Sequence, residues 1–301
     1  MISFDLFKIM IPVIILVKII EELGGIHYIA LALEPLMQLA GLPASTGLVW
    51  ATTMLTNIYG GMIIFISNTT EPLSVAQVTV LGSMMLLAHG LPIEVRIAQK
   101  AGVRVAFTLL LRIGGALLLG FLLHRIYASA DFLSQTNNAL WKPQGLTDPS
   151  LLSWAINQLK TLLQVFLVIA ALVVLLRLMK LSGIEKLLGF ILKPLLKILG
   201  LSDKTITISI IGITLGLTYG GGLLINEAKK GNISKIDILG ALSLLALCHS
   251  LIEDTLLIML LGADLSGILY MRVIFSLLLV AIIVRLARSM KQSLFEKYLV
   301  H

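Results

Sequence analysis

A single cysteine, Cys248, stands among 301 residues, so the chain can close no internal disulfide, and its place in an apolar run is silent about compartment. Charge is scarce as well: Asp, Glu, Lys and Arg make up 13% of the chain, about half of what a soluble domain carries. Aromatic residues are few, at 6%, and none interleave with a basic patch. The net charge of +7 therefore does not point to nucleic acid, because the basic residues lie mostly at the ends of apolar segments. Signatures of catalysis are missing too. There is no HExxH zinc helix, no GxSxG elbow and no Gly-Lys-Ser/Thr phosphate loop, and Gly220, Gly221 and Gly222 lack the lysine and preceding strand of a nucleotide loop. The chain is not expected to be an enzyme, and neither a cofactor nor a metal is expected. The opening MISFDLFKIM has no basic start followed by a small-residue cleavage site, so Phe7 to Ile20 reads as a retained first span.

What remains is apolar. Hydrophobic residues are 58% of the chain and the mean hydropathy is +1.01. Gly, Pro and basic clusters interrupt the apolar segments, without the alternation of a β-barrel. The fold class is all-α: a polytopic helical membrane protein whose first partner is the lipid bilayer, placed in the cell inner membrane.

The chain repeats itself. At an offset of 160, Tyr59-Gly60-Gly61 falls on Tyr219-Gly220-Gly221, Ser74 on Ser234, His89 on His249, Glu94 on Asp254, and Arg112 on Arg272. Upstream, with the shift one less, Pro35-Leu36 and Gly41-Leu42 fall on Pro194-Leu195 and Gly200-Leu201. Residues 1–127 form the first membrane repeat, the turn-rich 128–150 an external linker, 151–288 the second repeat, and 289–301 a tail. Each repeat has a first span (7–20 and 161–177), an amphipathic interfacial helix (26–40 and 184–199) and a Tyr-Gly-Gly segment (44–67 and 205–227). A His-containing helix (74–100 and 235–262) and an Arg-containing span (105–124 and 265–284) complete it.

Loop charge sets the orientation. Arg177, Lys180, Lys186, Lys193, Lys197 and Lys204 answer Lys18 alone in the first half, whereas Arg96, Lys100 and Arg104 answer a stretch without basic residues after Asp254. The halves are therefore inverted, with three spans each, the linker outside and both termini cytoplasmic. The loops flanking each Tyr-Gly-Gly segment share one charge character. Each segment thus enters and returns as a re-entrant hairpin, with Gly60-Gly61 and Gly220-Gly221-Gly222 at or near the break.

The duplicated Tyr-Gly-Gly hairpin and the His-plus-acid helix resemble the Gate domain family, also called nucleoside-recognition membrane proteins. That domain occurs in spore maturation proteins, in the ferrous iron transporter's membrane part and in concentrative nucleoside transporters. The resemblance covers both halves and implies a transport-type membrane module. The chain has no attached GTPase domain and no Cys-Pro metal motif, unlike the iron transporter.

The candidate substrate site gathers the ionisable groups of the apolar segments with the hairpin residues: Tyr59, Gly60, Gly61, His89, Glu94, Arg112, Tyr219, Gly220, Gly221, Gly222, His249, Glu253, Asp254 and Arg272. Charge at bilayer depth costs roughly 2.5–3.5 kcal/mol, so such groups face a protein interior and default to function. His249 and Glu253, four apart, share a helix face on this reading. Arg112 and Arg272 either pair with Glu94 and Asp254 or hold an anionic substrate. The function expected is a secondary transporter of a small polar or anionic solute, and the alternative is a non-transporting scaffold. A homo-oligomer or a second membrane protein would complete the partners.

Overall fold

The computed structural model describes residues 11–68, 72–139 and 150–301, apart from positions 13, 17, 21 and 24. The described residues are helical with no strand, and the chain is a helical membrane protein. Most of the expected first span at 7–20 lies outside the described residues or is described only in part.

The helices are α1 (Gly25–Leu39), α2 (Thr46–Leu55), α3 (Ile58–Asn68), α4 (Val75–Leu87), α5 (Leu91–Lys100) and α6 (Val105–Ala130) in the first half. The second half has α7 (Leu151–Leu181), α8 (Ile184–Lys197), α9 (Asp203–Leu215), α10 (Leu217–Lys229), α11 (Lys235–Leu247), α12 (Glu253–Met259), α13 (Ser266–Ser289) and α14 (Gln292–Tyr298). Helices α1 and α8, with Pro35 and Pro194 inside them, fall where the pattern predicts amphipathic helices. Helix α7 begins earlier than expected and runs over 31 residues.

Local chemistry explains the starts. Ser74 and Ser234, matched at the repeat offset, each cap their helix by accepting from a backbone N–H three residues on, and Gln77 closes a full capping box at the first. The breaks are equally local. Each His-containing segment is expected as a helix, the first disturbed at Gly90 and Pro92, and both are split, into α4–α5 and α11–α12. In the first, Gly90 takes φ +56 and Pro92 enters the first turn of α5. In the second, Ser250 takes the same left-handed turn at φ +45 with no glycine to ease it. The shared helix face proposed for His249 and Glu253 therefore does not exist; a turn separates them.

A left-handed conformation costs an L-residue about 1–2 kcal/mol, and Gly avoids it. Ser250→Gly is therefore expected to raise stability by up to about 1 kcal/mol, and Gly90→Ala to lower it by about 1–2 kcal/mol. Thermal melts in detergent measure both, and a destabilised Ser250→Gly would contradict this account of the break.

Matching elements run in opposite directions. At one end, the linker residues Leu133, Gln135 and Asn137 bond to the start of α4, and Asn137 also donates to Leu261 O beyond α12. Tyr127 at the end of α6 meets Ser266 at the start of α13 there. At the other end, Arg104 before α6 donates to Glu296 O and Val300 O of the tail, and Lys235 at the start of α11 pairs with Glu296 at 3.0 Å. So α4–α5 descends from the linker end while α11–α12 climbs from the tail end, and α6 and α13 are likewise opposed. The linker proper starts at Asp131, since α6 runs on to Ala130.

Between these lie two helical hairpins, α2–α3 and α9–α10. Their arms of 10 to 13 residues reach about 15–20 Å, short of the roughly 30 Å hydrocarbon core. The α9–α10 hairpin begins and ends at one end of the bundle, where Lys204 and Glu227 pair, and α2–α3 begins beside the start of α4, whose Gln77 donates to Gly41 O. The turns fall at Thr56-Asn57 and at Gly216, one helical turn ahead of the glycine clusters. The glycines instead let the arms touch. A Cβ on Gly220 would lie 2.5 Å from Gly212 Cα, and one on Gly221 would strike Ile97 of α5 in the other half. Around Gly222 nothing stands within 4 Å.

Gly220→Ala is therefore expected to lose folded protein, because backbone cannot yield as a side-chain tip can. Gly222→Ala is expected to fold as well as the wild type or better, since Ala favours a helix by up to about 1 kcal/mol. Yield and melting temperature decide it, and equal loss at both positions would contradict the packing.

Candidate functional site

The two broken helices cross where their breaks face the hairpin turns. Gly90 N donates to Thr53 O at 3.1 Å, and Leu251 N to Ile213 O at 2.8 Å; Thr53 and Ile213 are a matched pair. Each break frees backbone groups that a dry interior would leave orphaned. The last spans supply the remedy. Arg112 Nε donates to Leu87 O at 2.8 Å, and Arg272 Nε to Leu247 O at 3.1 Å, again at the repeat offset. Arg272 also reaches His249 O at 2.9 Å. Both guanidinium groups are fully buried at the carboxyl ends of α4 and α11, where the helix dipole favours a cation. A π-turn aims each of them: Leu110–Gly114 encloses Arg112, and Ser266–Met271 ends at Arg272.

Acids take the opposite position. Glu94 stands in the first turn of α5, and Glu253 with Asp254 in the first turn of α12, where the dipole favours an anion. Glu94 Oε2 pairs with Arg112, so the first of the two ion pairs considered for the arginines forms. No Arg272–Asp254 bridge forms to match it; Arg272 is spent on carbonyls, and Asp254 Oδ2 has no hydrogen-bond partner among the described residues.

His89 and His249 meet between the halves, with Nε2 atoms 3.0 Å apart and ring centroids 4.9 Å apart. Nδ1 of His89 lies 3.1 Å from Met85 O, and Nδ1 of His249 lies 2.6 Å from Leu245 O. Glu94 Oε1 lies 3.2 Å from His89 Nε2 and 3.3 Å from His249 Nε2, and Asp254 Oδ2 lies 3.9 Å from His89 Nε2. The donor atoms of His89, His249 and Asp254 fall within 4.8 Å of one another, a grouping that could hold a metal ion. Sequence spacing predicts no metal, since these ligands come from segments 160 residues apart. Tyr59 extends the cluster, donating to Glu253 Oε1 at 3.2 Å across the halves.

The fold thus assembles Tyr59, His89, Glu94, Arg112, His249, Glu253, Asp254 and Arg272. Tyr219 stands apart: its side chain is 65% exposed, while its counterpart Tyr59 faces the cluster. Gly60, Gly61 and Gly220 pack within their hairpins, Gly221 packs against Ile97 of α5, and Gly222 is exposed; their nearest neighbours lie outside the cluster. Glu227 pairs with Lys204 and Lys230 at the base of α9–α10, away from the cluster. The carbonyls of Leu87, Leu247, Met85 and Leu245 carry no sequence signal, although the repeat offset pairs them. The Thr56 and Gly216 turns could have been found by that same offset.

Fold and site together define a helical membrane protein with a buried ionisable cluster at the centre of a duplicated, broken-helix core. The chain is 26% identical over 297 residues to the Bacillus subtilis (strain 168) protein named "Uncharacterized membrane protein YvoD", spanning 97% of this chain and 93% of that one. No family model matches the chain. No solved structure matches it either.

Proposed function

We propose that this protein is a membrane transporter of the Gate type, in which a small polar or anionic solute passes a central site between two inverted halves. The observation that carries this reading is the meeting of two helix breaks and two hairpin turns around one buried ionisable cluster. Discontinuous helices in opposed halves are the usual makers of a transporter's binding site, and irregular backbone at bilayer depth belongs where it lines a cavity. On this reading α2–α3 and α9–α10 are re-entrant hairpins, and each half crosses the bilayer three times. The basic residues Arg104, Lys230 and Lys235 lie with the tail at the cytoplasmic end, and the linker lies outside.

Most of the guanidinium donors are engaged with protein. Arg112 Nη2 and Arg272 Nη1 are buried and make no hydrogen bond among the described residues, so they are the groups left for an anionic solute. The test is a thermal-stability screen of purified protein against nucleosides and organic anions, followed by uptake into proteoliposomes. A ligand that stabilises the wild type, is taken up by it, and does neither for a folded Asp254→Asn variant is the expected result. Full uptake by that variant, or no stabilisation by any compound, would favour the scaffold.

A further inference from the structure

Both Nδ1 atoms at the centre face backbone carbonyls, and a carbonyl only accepts. Each imidazole therefore carries its proton on Nδ1, which leaves the two Nε2 lone pairs pointing at each other across 3.0 Å. Two lone pairs at that distance repel unless a positive species lies between them. The neighbours sharpen this requirement, because the oxygens closest to the pair, Glu94 Oε1 and Asp254 Oδ2, are acceptors too. Asp254 Oδ2 is buried and unpartnered among the described residues.

We infer that the crossing of the broken helices is a site for one divalent first-row transition-metal ion, bound by His89 Nε2, His249 Nε2, Glu94 Oε1 and Asp254 Oδ2. Ligands about 2.0–2.1 Å from a tetrahedral ion stand about 3.3 Å from one another. Of the six separations within this set, three are 3.0, 3.2 and 3.3 Å, at that edge, and the one from His89 to Asp254 is 3.9 Å. An Nδ1–H held by a backbone carbonyl is also the support that metal-binding histidines have, since it fixes the tautomer and the ring. Mixed imidazole and carboxylate donors suit ions of the Zn²⁺ or Co²⁺ kind, whereas Mg²⁺ and Ca²⁺ take oxygen shells. Three carboxylates, of Glu94, Glu253 and Asp254, face two guanidinium groups, so the cluster is short of positive charge. The first half supplies His89 and Glu94, and the second supplies His249 and Asp254. A bound ion is thus a bridge that ties the halves together at their crossing.

The probe is Co²⁺, added to chelator-stripped full-length protein in detergent. The expected result is one equivalent bound per chain, with the strong d–d absorption of four-coordinate cobalt and a rise in melting temperature, since the ion binds the folded chain. His249→Gln and Asp254→Asn are each expected to weaken binding by at least about 10-fold, a loss that even supporting residues of metal sites produce. The remaining histidines, His27, His124 and His301, belong to none of the ligand set, and their joint replacement is expected to leave the absorption unchanged. Should a site variant not fold, the wild-type spectrum still decides, because adventitious surface ions give the weak absorption of six-coordinate cobalt. No d–d band and no thermal shift would overturn the site and leave a shared proton between the rings. Undiminished binding by a folded His89→Gln/His249→Gln double variant would overturn it as well.

Discussion

Glu94→Gln and Arg112→Gln are each expected to lower stability by about 3–5 kcal/mol, and the double variant to recover much of that loss. Arg112 is fully buried, Glu94 is nearly so, and the two pair directly. Removing one partner leaves the other charged and uncompensated in the protein interior. Removing both leaves two amides that can still bond each other. The recovery cannot be complete, because Arg112 Nε also holds Leu87 O at the end of α4. A double-mutant cycle on melting temperature measures the coupling. Strictly additive losses would show that the pair is not coupled.

Arg272→Gln is expected to cost a similar amount, for a different reason. Here no ion pair is lost; two backbone carbonyls, of Leu247 and His249, lose their donor at the break between α11 and α12. A buried group left unsatisfied costs about 1–3 kcal/mol, and two are orphaned together. Asp254→Asn should not rescue this variant, in contrast to the Glu94–Arg112 pair, because Asp254 is not bridged to Arg272. Arg272→Lys is expected to recover only part of the stability, since an ammonium lacks the planar fork that spans both carbonyls. Rescue of Arg272→Gln by Asp254→Asn would mean that an ion pair, not the carbonyls, is what Arg272 serves.

Much of this was legible in the residues. The offset of 160 pairs His89 with His249 and Arg112 with Arg272, and the structure brings both pairs to one centre with matching backbone partners. Inversion was readable from loop charge because Arg104, Lys235 and the tail share an end. The helix breaks were half legible. Gly90 and Pro92 announce the first, but Ser250 occupies the second without a breaking residue, and only the repeat could have transferred the turn. The glycine clusters stand near the breaks rather than at them: they allow close packing one helical turn on, while the turns fall at Thr56-Asn57 and Gly216. Tyr59 and Tyr219 show the limit of the repeat. One faces Glu253 and the other is exposed, because the Glu253 position is Ile93 in the first half and gives Tyr219 no matching carboxylate.

The central claim is that matched segments cross the bilayer in opposite senses, with the linker and the tail on opposite faces. Side-selective cysteine labelling tests it most directly, with the buried Cys248 replaced by alanine and single cysteines placed at the exposed positions Ser134, Lys230 and Lys297. An impermeant reagent outside intact cells is expected to label position 134 and to reach 230 and 297 only after the membrane is opened. Labelling of 134 and 230 from the same face would contradict the inverted arrangement and, with it, the central site between the halves.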